Sequence, residues 1–191
     1  MTTLYWVRHG PTHVKSMIGW TDKPADLSDT DRIARLSAFL PADAPIVSSD
    51  LKRAVDTASA LETPTRPRRG HIRDLREIHF GDWEDQTFAE VSAHSPDAIA
   101  AFWQKPGETC APGGESWNDL DARVSAAADG LVREGQDLIV VAHFGAILTQ
   151  VQRARGQGPL EVFSQQIEPL SVSVLTWNGE KWSDGLVNHC P

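Results

Sequence analysis

The sequence has few cysteines, no long apolar run and little positive charge. Only two cysteines, Cys110 and Cys190, occur in 191 residues, which excludes the dense disulfide framework of a small secreted domain. No apolar run approaches the roughly 20 residues that span a bilayer, and the first residues lack a signal peptide's basic region and cleavage site. A chain of this length buries roughly 70% of its unfolded surface without a disulfide or metal. We therefore expect a single cytoplasmic domain, residues 1–191, with no membrane partner.

Basic residues are outnumbered, since 18 Lys and Arg face 26 Asp and Glu, for a net charge of −8. A sequence-independent nucleic-acid binder needs a broad basic surface, so we expect no nucleic-acid partner. If the substrate is an anion, the few arginines must be concentrated at one place against an unfavourable overall field.

Apolar strand patterns alternate with amphipathic helix patterns through the first two thirds of the chain. The strand patterns cover 4–7, 45–47 and 137–142, and 72–78 is predicted as a strand or extended loop. This alternation predicts an α/β three-layer sandwich, with a mostly parallel sheet and helices on both faces. Residues 171–177 alternate and lead into Asn-Gly, the strongest two-residue turn signal, which predicts an antiparallel C-terminal edge hairpin.

Residues 80–118 are the irregular part of the sequence. Two short helix patterns, 88–93 and 97–103, are separated by a proline and followed by Pro-Gly turns. Such a segment is typical of a lid-like insertion over a site, although a plain surface excursion explains the pattern nearly as well.

Polar residues follow three of the predicted strands at the point where each strand ends. Arg8 and His9 follow the first strand, Arg53 lies just after the second, and His143 follows the strand at 137–142. Because the carboxyl ends of parallel strands meet at one edge of a sheet, where ligands bind, we expect these four side chains to form one site.

Arginine and imidazole together indicate phosphate chemistry. Arg53 lies in the first turn of its helix, where the macrodipole disfavours a cation by up to about 1 kcal/mol, unless an anion lies between them. Its planar donors match phosphate. Alternatively, Arg53 is a surface residue paired with Asp50 or Asp56. Arg8 is expected to lower the pKa of His9, which favours the neutral imidazole that a nucleophile requires.

The histidine spacing does not indicate a metal site. His9 and His13 are four residues apart, but Gly10 and Pro11 between them cannot continue a helix. The sequence also lacks histidine or cysteine pairs at zinc spacing. We expect neither a catalytic metal nor another cofactor.

Five motifs in order along nearly the whole chain resemble the histidine phosphatase (phosphoglycerate mutase-like) superfamily. They are Arg8-His9-Gly10-Pro11-Thr12, Ser48-Ser49-Asp50-Leu51-Lys52-Arg53-Ala54, Leu75-Arg76-Glu77 with Phe80-Gly81-Asp82-Trp83-Glu84, Pro112-Gly113-Gly114-Glu115-Ser116, and Val141-Ala142-His143. Any one of them is a weak signal, whereas the ordered set is highly specific.

The resemblance implies a role for each motif. His9 would attack phosphorus and carry a phosphohistidine intermediate, and Glu77 would act as general acid and then as general base. His143 would be catalytic as well, since it stabilises the transition state together with the phosphate-binding residues. That phosphate-binding set comprises Arg8, Arg53, His143 and Thr12.

Three further residues are possible substrate contacts. Lys15 stands where asparagine is frequent in the family, and Phe144 stands where glycine is common, which makes it a possible wall for the leaving group. Ser116 matches a serine near family active sites, but a helix N-cap explains it equally well.

The resemblance implies a phosphatase that acts on a phosphomonoester, most simply a small phosphorylated metabolite. A phosphoglycerate mutase-type transfer is the alternative within the same chemistry, and the brevity of segment 80–118 favours hydrolysis. A non-catalytic module that binds a phosphorylated ligand on the same fold is the other alternative. The sequence does not predict the oligomeric state.

Overall fold

The computed structural model describes residues 1–191 as six strands and seven α-helices. Two short 3-10 turns, Arg73–Leu75 and Gly81–Trp83, complete the secondary structure. In chain order the elements are β1 (Thr2–Arg8), α1 (Thr30–Phe39), β2 (Ile46–Ser48), α2 (Lys52–Ala60), β3 (Arg68–His71), α3 (Phe88–His94), α4 (Pro96–Gln104), α5 (Trp117–Val132), β4 (Leu138–Ala142), α6 (Phe144–Arg155), α7 (Pro159–Val162), β5 (Val172–Trp177) and β6 (Trp182–Asp184).

One six-stranded sheet runs through the molecule in the order β3-β2-β4-β1-β5-β6. The first four strands in that order are parallel, whereas β5 is antiparallel to both β1 and β6. The predicted mostly parallel sheet with an antiparallel C-terminal edge is therefore confirmed. Val7 lies opposite Val141 in the β1–β4 register, so these two strands end side by side.

The sheet separates two apolar cores, as the predicted three-layer sandwich requires. In β4, Leu138, Val140 and Ala142 face a core of 27 residues that includes the inner faces of α5 and α6. Ile139 and Val141 face the opposite core of 12 residues, which includes residues of α1 and α2. All five side chains are fully buried, because a central parallel strand is covered on both faces.

One local prediction differs in part from the structure. Of the two alternatives for 72–78, the structure has a loop and not a strand: β3 lies earlier, at Arg68–His71, and the 3-10 turn Arg73–Leu75 follows it. β3 is polar and largely exposed, so it lacks the apolar alternation by which strands are recognised.

None of the seven helices has the length and apolar character needed to cross a membrane.

Segment 80–118 contains the turn Gly81–Trp83 and helices α3 and α4, and then runs irregularly to α5. Thr87 begins α3 with a capping box, in which its hydroxyl accepts from the backbone N–H of Glu90 and the Glu90 carboxylate accepts from that of Thr87. Phe102 of α4 is buried against Trp83, with ring centroids 5.5 Å apart. The segment is thus anchored to the larger core.

Candidate active site

His9 follows β1 directly and is held by the neighbouring strand and helix. Its backbone N–H donates to the carbonyl of Ala142 at 3.0 Å, and the N–H of Gly10 donates to the hydroxyl of Thr57 in α2 at 2.9 Å. The imidazole Nδ1 lies 2.7 Å from the Gly10 carbonyl oxygen. Because a carbonyl can only accept, Nδ1 carries the proton, and Nε2 presents a lone pair.

Arg53 connects His9 to His143. Its Nε lies 3.2 Å from Nε2 of His9 and 3.2 Å from Nδ1 of His143, as a shared donor. The side chain is 1% exposed. The alternative of a surface ion pair is excluded, because Asp50 pairs with Arg76 and Asp56 pairs with Lys52.

The outer nitrogens of Arg53 donate to backbone carbonyls of the loop before α1. Nη1 donates to Thr21 at 2.9 Å, and Nη2 donates to Gly19 at 2.6 Å. No carboxylate neutralises this guanidinium directly. The group is therefore fixed in orientation while its positive charge remains available to an anion.

Two buried donors in the site have no hydrogen-bond partner. Since Nδ1 of His143 accepts from Arg53, its Nε2 carries the proton, and this nitrogen is buried and unpartnered. Nε of Arg8 is also buried and unpartnered, whereas its Nη1 donates to the Ile167 carbonyl at 2.5 Å. Buried donors are normally satisfied, so these two groups fit an anion that would accept from both.

Burial keeps both imidazoles neutral. It lowers the pKa of His9 to about 3, assisted by Arg53 and less by Arg8, while the hydrogen bond to Gly10 opposes the shift. Burial, with Arg53 next, also lowers the pKa of His143 well below its usual value. The pKa of His9 is thus shifted in the direction expected from the sequence, but the effect of Arg8 on it is smaller than that of burial or of Arg53.

Glu77 is held at the N-terminus of α6. One carboxylate oxygen accepts from the N–H of Gly145 at 3.0 Å, and the other accepts from its own neighbour Ile78 at 2.9 Å. The backbone carbonyl of Glu77 accepts from Arg123 and from the indole of Trp20. Burial lowers the pKa of Arg8 and of Arg53, and the charge of Glu77 opposes that shift in both. The carboxylate therefore lies within electrostatic reach of the two guanidinium groups.

Glu84 anchors the loop that holds Arg53, a role that sequence reasoning missed. Its carboxylate accepts from the backbone N–H groups of Gly19, Trp20, Thr21 and Phe80 and from the Thr21 hydroxyl, at 2.6–3.1 Å. Burial raises the pKa of Glu84, but these hydrogen bonds together lower it further, so the net shift is downward. The available signal was its place in the Phe80–Glu84 motif.

The remaining predicted residues differ in their proximity to this cluster. Thr12 is half-buried and Lys15 is exposed, and neither side chain makes a hydrogen bond or ion pair. Ser116 is the N-cap of α5, and its hydroxyl is occupied in a capping box with Asp119. Phe144 is the first residue of α6, and the guanidinium carbon of Arg8 lies 5.5 Å from its ring centroid.

A cavity of about 300 Å³ opens beside Glu77 and Gly145. Most of its wall is aromatic, and six of its eleven lining residues come from segment 80–118. Its aromatic side chains are Phe80, Phe102, Trp103, Trp117, Phe144 and Phe163.

No group of three or more His, Cys, Asp or Glu side chains is arranged to hold a metal ion.

Comparison with known proteins identifies the family. The sequence pattern of the histidine phosphatase superfamily (branch 1) matches residues 4–189. A glucosyl-3-phosphoglycerate phosphatase of Mycolicibacterium vanbaalenii is 36% identical over 75% of this chain and 70% of its own length. A metal-independent phosphoserine phosphatase of Arabidopsis thaliana is 28% identical over 96% of this chain and 82% of its own.

A solved structure supports the same assignment. Bacillus stearothermophilus YhfR superposes with a TM-score of 0.90 at 27% identity, covering 100% of this chain and 98% of its own. The predicted enzyme class is confirmed by these phosphatase relatives. The chain belongs to the histidine phosphatase superfamily, branch 1, and is a phosphatase.

Proposed function

We propose that the protein hydrolyses a phosphomonoester of a small metabolite through a phosphohistidine intermediate on His9. The observation that carries this proposal is the state of the His9 ring. Its Nδ1–H donates to the Gly10 carbonyl, so Nε2 carries the lone pair that would attack phosphorus, and Nε of Arg53 donates to this same nitrogen. Burial and Arg53 keep the ring unprotonated at neutral pH, since its pKa is lowered to about 3. A protonated imidazole could not attack phosphorus.

In the first step, the Nε2 lone pair forms a bond to phosphorus while the bond from phosphorus to the ester oxygen breaks. Protonated Glu77 gives its proton to that oxygen, which leaves as an alcohol. The phosphoryl oxygens accept from the unpartnered Nε2–H of His143 and Nε–H of Arg8, and the positive charge of Arg53 lies beside His9. These fixed donors stabilise the charge that develops in the transition state.

In the second step, water attacks the phosphohistidine from the position that the alcohol has left. Glu77, now a carboxylate, accepts a proton from the water, and the bond between phosphorus and Nε2 breaks. Phosphate leaves, and His9 returns to its neutral form. One carboxyl group serves both steps because its two backbone contacts, to Gly145 and Ile78, hold it in one orientation.

Turnover of p-nitrophenyl phosphate in EDTA tests the nucleophile. We expect His9→Ala to lower kcat by at least about 10³-fold, because the covalent route is lost. His94→Ala is the matched control, since His94 is an exposed histidine in the last turn of α3. Near-normal turnover by His9→Ala, with a circular dichroism spectrum like that of the parent, would rule out the assigned nucleophile.

The intermediate is tested separately from turnover. We expect an alkaline quench during turnover to leave a phosphoryl group on the peptide that contains His9, as read by mass spectrometry. A non-catalytic binding module would neither turn over the ester nor acquire this label. Label on another residue, with none on His9, would contradict the proposed route.

Glu77→Gln tests the acid. Nitrophenolate leaves without much help from a proton, whereas an alkoxide does not. We therefore expect a loss in kcat that is at least about 10-fold larger for an alkyl phosphate than for p-nitrophenyl phosphate. Equal losses on both esters would count against this role for Glu77.

A further inference from the structure

The cavity beside Glu77 lies where the proposed mechanism puts the leaving group. Glu77 and Gly145, whose N–H holds the Glu77 carboxylate, are both part of its wall. Phe144 contacts both halves of the site, because its ring lines the cavity and also lies under the Arg8 guanidinium. An ester whose phosphoryl group meets His9 and Arg8 would extend its alcohol portion past Glu77 into this space.

The wall of the cavity offers no positive charge. Seven of its eleven lining residues are hydrophobic, and none is lysine or arginine. Its one ionisable side chain is the acid Glu77, and Thr109 is its other polar aliphatic side chain. The indole N–H of Trp117 is already engaged by Gln152 at 2.7 Å. A carboxylate that entered this space would be desolvated beside another carboxyl group with no cation to pair it.

The aromatic wall is packed before any ligand arrives. The rings of Trp117 and Phe163 meet edge to face at 4.8 Å, and those of Phe102 and Trp103 do so at 5.1 Å. A volume of about 300 Å³ corresponds to about ten water molecules at roughly 30 Å³ each, which is room for one or two aromatic rings. Such a preformed apolar site binds apolar groups without a large ordering penalty.

We infer that the preferred substrates are phosphomonoesters of aromatic or otherwise apolar alcohols, whose alcohol portion fills this cavity. This inference rests on the proposed function. It separates the chain from the substrates named for its relatives, since glucosyl-3-phosphoglycerate and phosphoserine carry a carboxylate beside the ester. It also disfavours mutase-type transfer on phosphoglycerate, which requires recognition of a second anionic group.

The test compares three alkyl esters with similar leaving oxygens, so that the demand on Glu77 stays constant. They are 3-phenylpropyl phosphate, ethyl phosphate and 3-phosphoglycerate. We expect kcat/KM to be at least about 100-fold higher for the phenylpropyl ester than for 3-phosphoglycerate, with ethyl phosphate between them, because an unpaired buried charge is rejected more strongly than a missing apolar group.

Variants of the wall test the cavity itself. Trp103 is 41% exposed, so its replacement is compatible with folding. We expect Trp103→Ala to lower the ratio of phenylpropyl to ethyl turnover by about 10-fold, and Trp103→Arg to raise turnover of 3-phosphoglycerate relative to the phenylpropyl ester. Phe88→Ala is the matched control, because Phe88 is an exposed aromatic residue of the same segment outside the cavity.

The outcomes separate the two proposals. Hydrolysis of all three esters at similar kcat/KM, abolished by His9→Ala, would refute the inference and leave the proposed function standing. No hydrolysis of any ester would refute the proposed function and the inference together. An unchanged ratio in both Trp103 variants would show that the cavity does not hold the alcohol portion, and would overturn the inference.

Discussion

Gly145→Ala offers a sharp test of how the acid is positioned. A Cβ at this position would lie 2.3 Å from Oε1 of Glu77 and 3.1 Å from Leu120. Ordinary contact begins near 3.4 Å, so the carboxylate must move by about 1 Å, since 3.4 − 2.3 = 1.1. The helical backbone at Gly145 has no left-handed strain, so the added methyl group acts through these two contacts, of which the one with Glu77 is the closer.

A misplacement of about 1 Å in a catalytic group can lower the rate about 10²-fold. We expect Gly145→Ala to lower kcat by about 10²-fold on an alkyl phosphate and by less on p-nitrophenyl phosphate, where protonation of the leaving oxygen matters less. Steady-state kinetics on both esters give the two numbers. The free energy of unfolding should change little, because alanine favours the helix by about 0.5–1 kcal/mol and offsets part of the strain.

Gly130→Ala is the matched control. Gly130 lies in α5, and a Cβ there would meet nothing within 4 Å. It should therefore gain helix stability without losing activity. Full activity of Gly145→Ala on the alkyl ester would refute the argument, because it would mean that Glu77 can move by an ångström without affecting the proton transfer.

The remaining predictions concern the cationic side of the site. Glu84→Gln should destabilise the fold by about 1–3 kcal/mol in urea unfolding, because one amide oxygen cannot accept from all the donors that the carboxylate holds. Its effect on kcat acts through Arg53, so the loss should be equal on aryl and alkyl esters, and a loss on only one kind of ester would contradict this. Arg53→Lys should lower kcat/KM by at least about 10²-fold, because a lysine cannot donate to the loop carbonyls and to both imidazoles at the same time. An unchanged kcat/KM would be inconsistent with Arg53 as the donor that His9 and His143 share. The pKa of His9 falls from 6.5 to about 3 on folding, so below pH 6.5 the unfolded chain binds a proton that the folded chain does not. The free energy of unfolding should therefore decrease as the pH falls, by up to about 1.4 kcal/mol per pH unit. In urea titrations the dependence of this free energy on pH should be shallower for His9→Gln than for the parent, and identical slopes would refute this assignment.

The positions of the strands that carry the site were predictable because they are buried on both faces. A central parallel strand must be apolar throughout, so 4–7 and 137–142 stand out from their surroundings. The residues that follow them, Arg8, His9 and His143, are then brought to one edge by topology alone. Asn178-Gly179 likewise predicted the hairpin of β5 and β6, because the turn residues themselves define the conformation.

The strand β3 and the electrostatics of the site were not predictable in the same way. β3 is largely exposed and carries three charged or polar residues in four, so no apolar periodicity marks it. The low pKa of His9 arises first from burial and then from Arg53, 44 positions away in the sequence. Arg8 was named instead because it is the neighbour of His9 in the sequence. Burial is a property of the assembled fold and leaves no local signal in the sequence.

The anchoring of Arg53 explains how a chain of net charge −8 can hold an anion site. Its guanidinium is satisfied by the carbonyls of Gly19 and Thr21, which are neutral. The nearby carboxylate of Glu84 is directed at the N–H groups of the same loop, so it fixes the carbonyls without pairing the cation. Substituting Glu84 should therefore alter the chemistry through the loop, whereas a direct ion pair to Arg53 would have neutralised the charge that the phosphate requires.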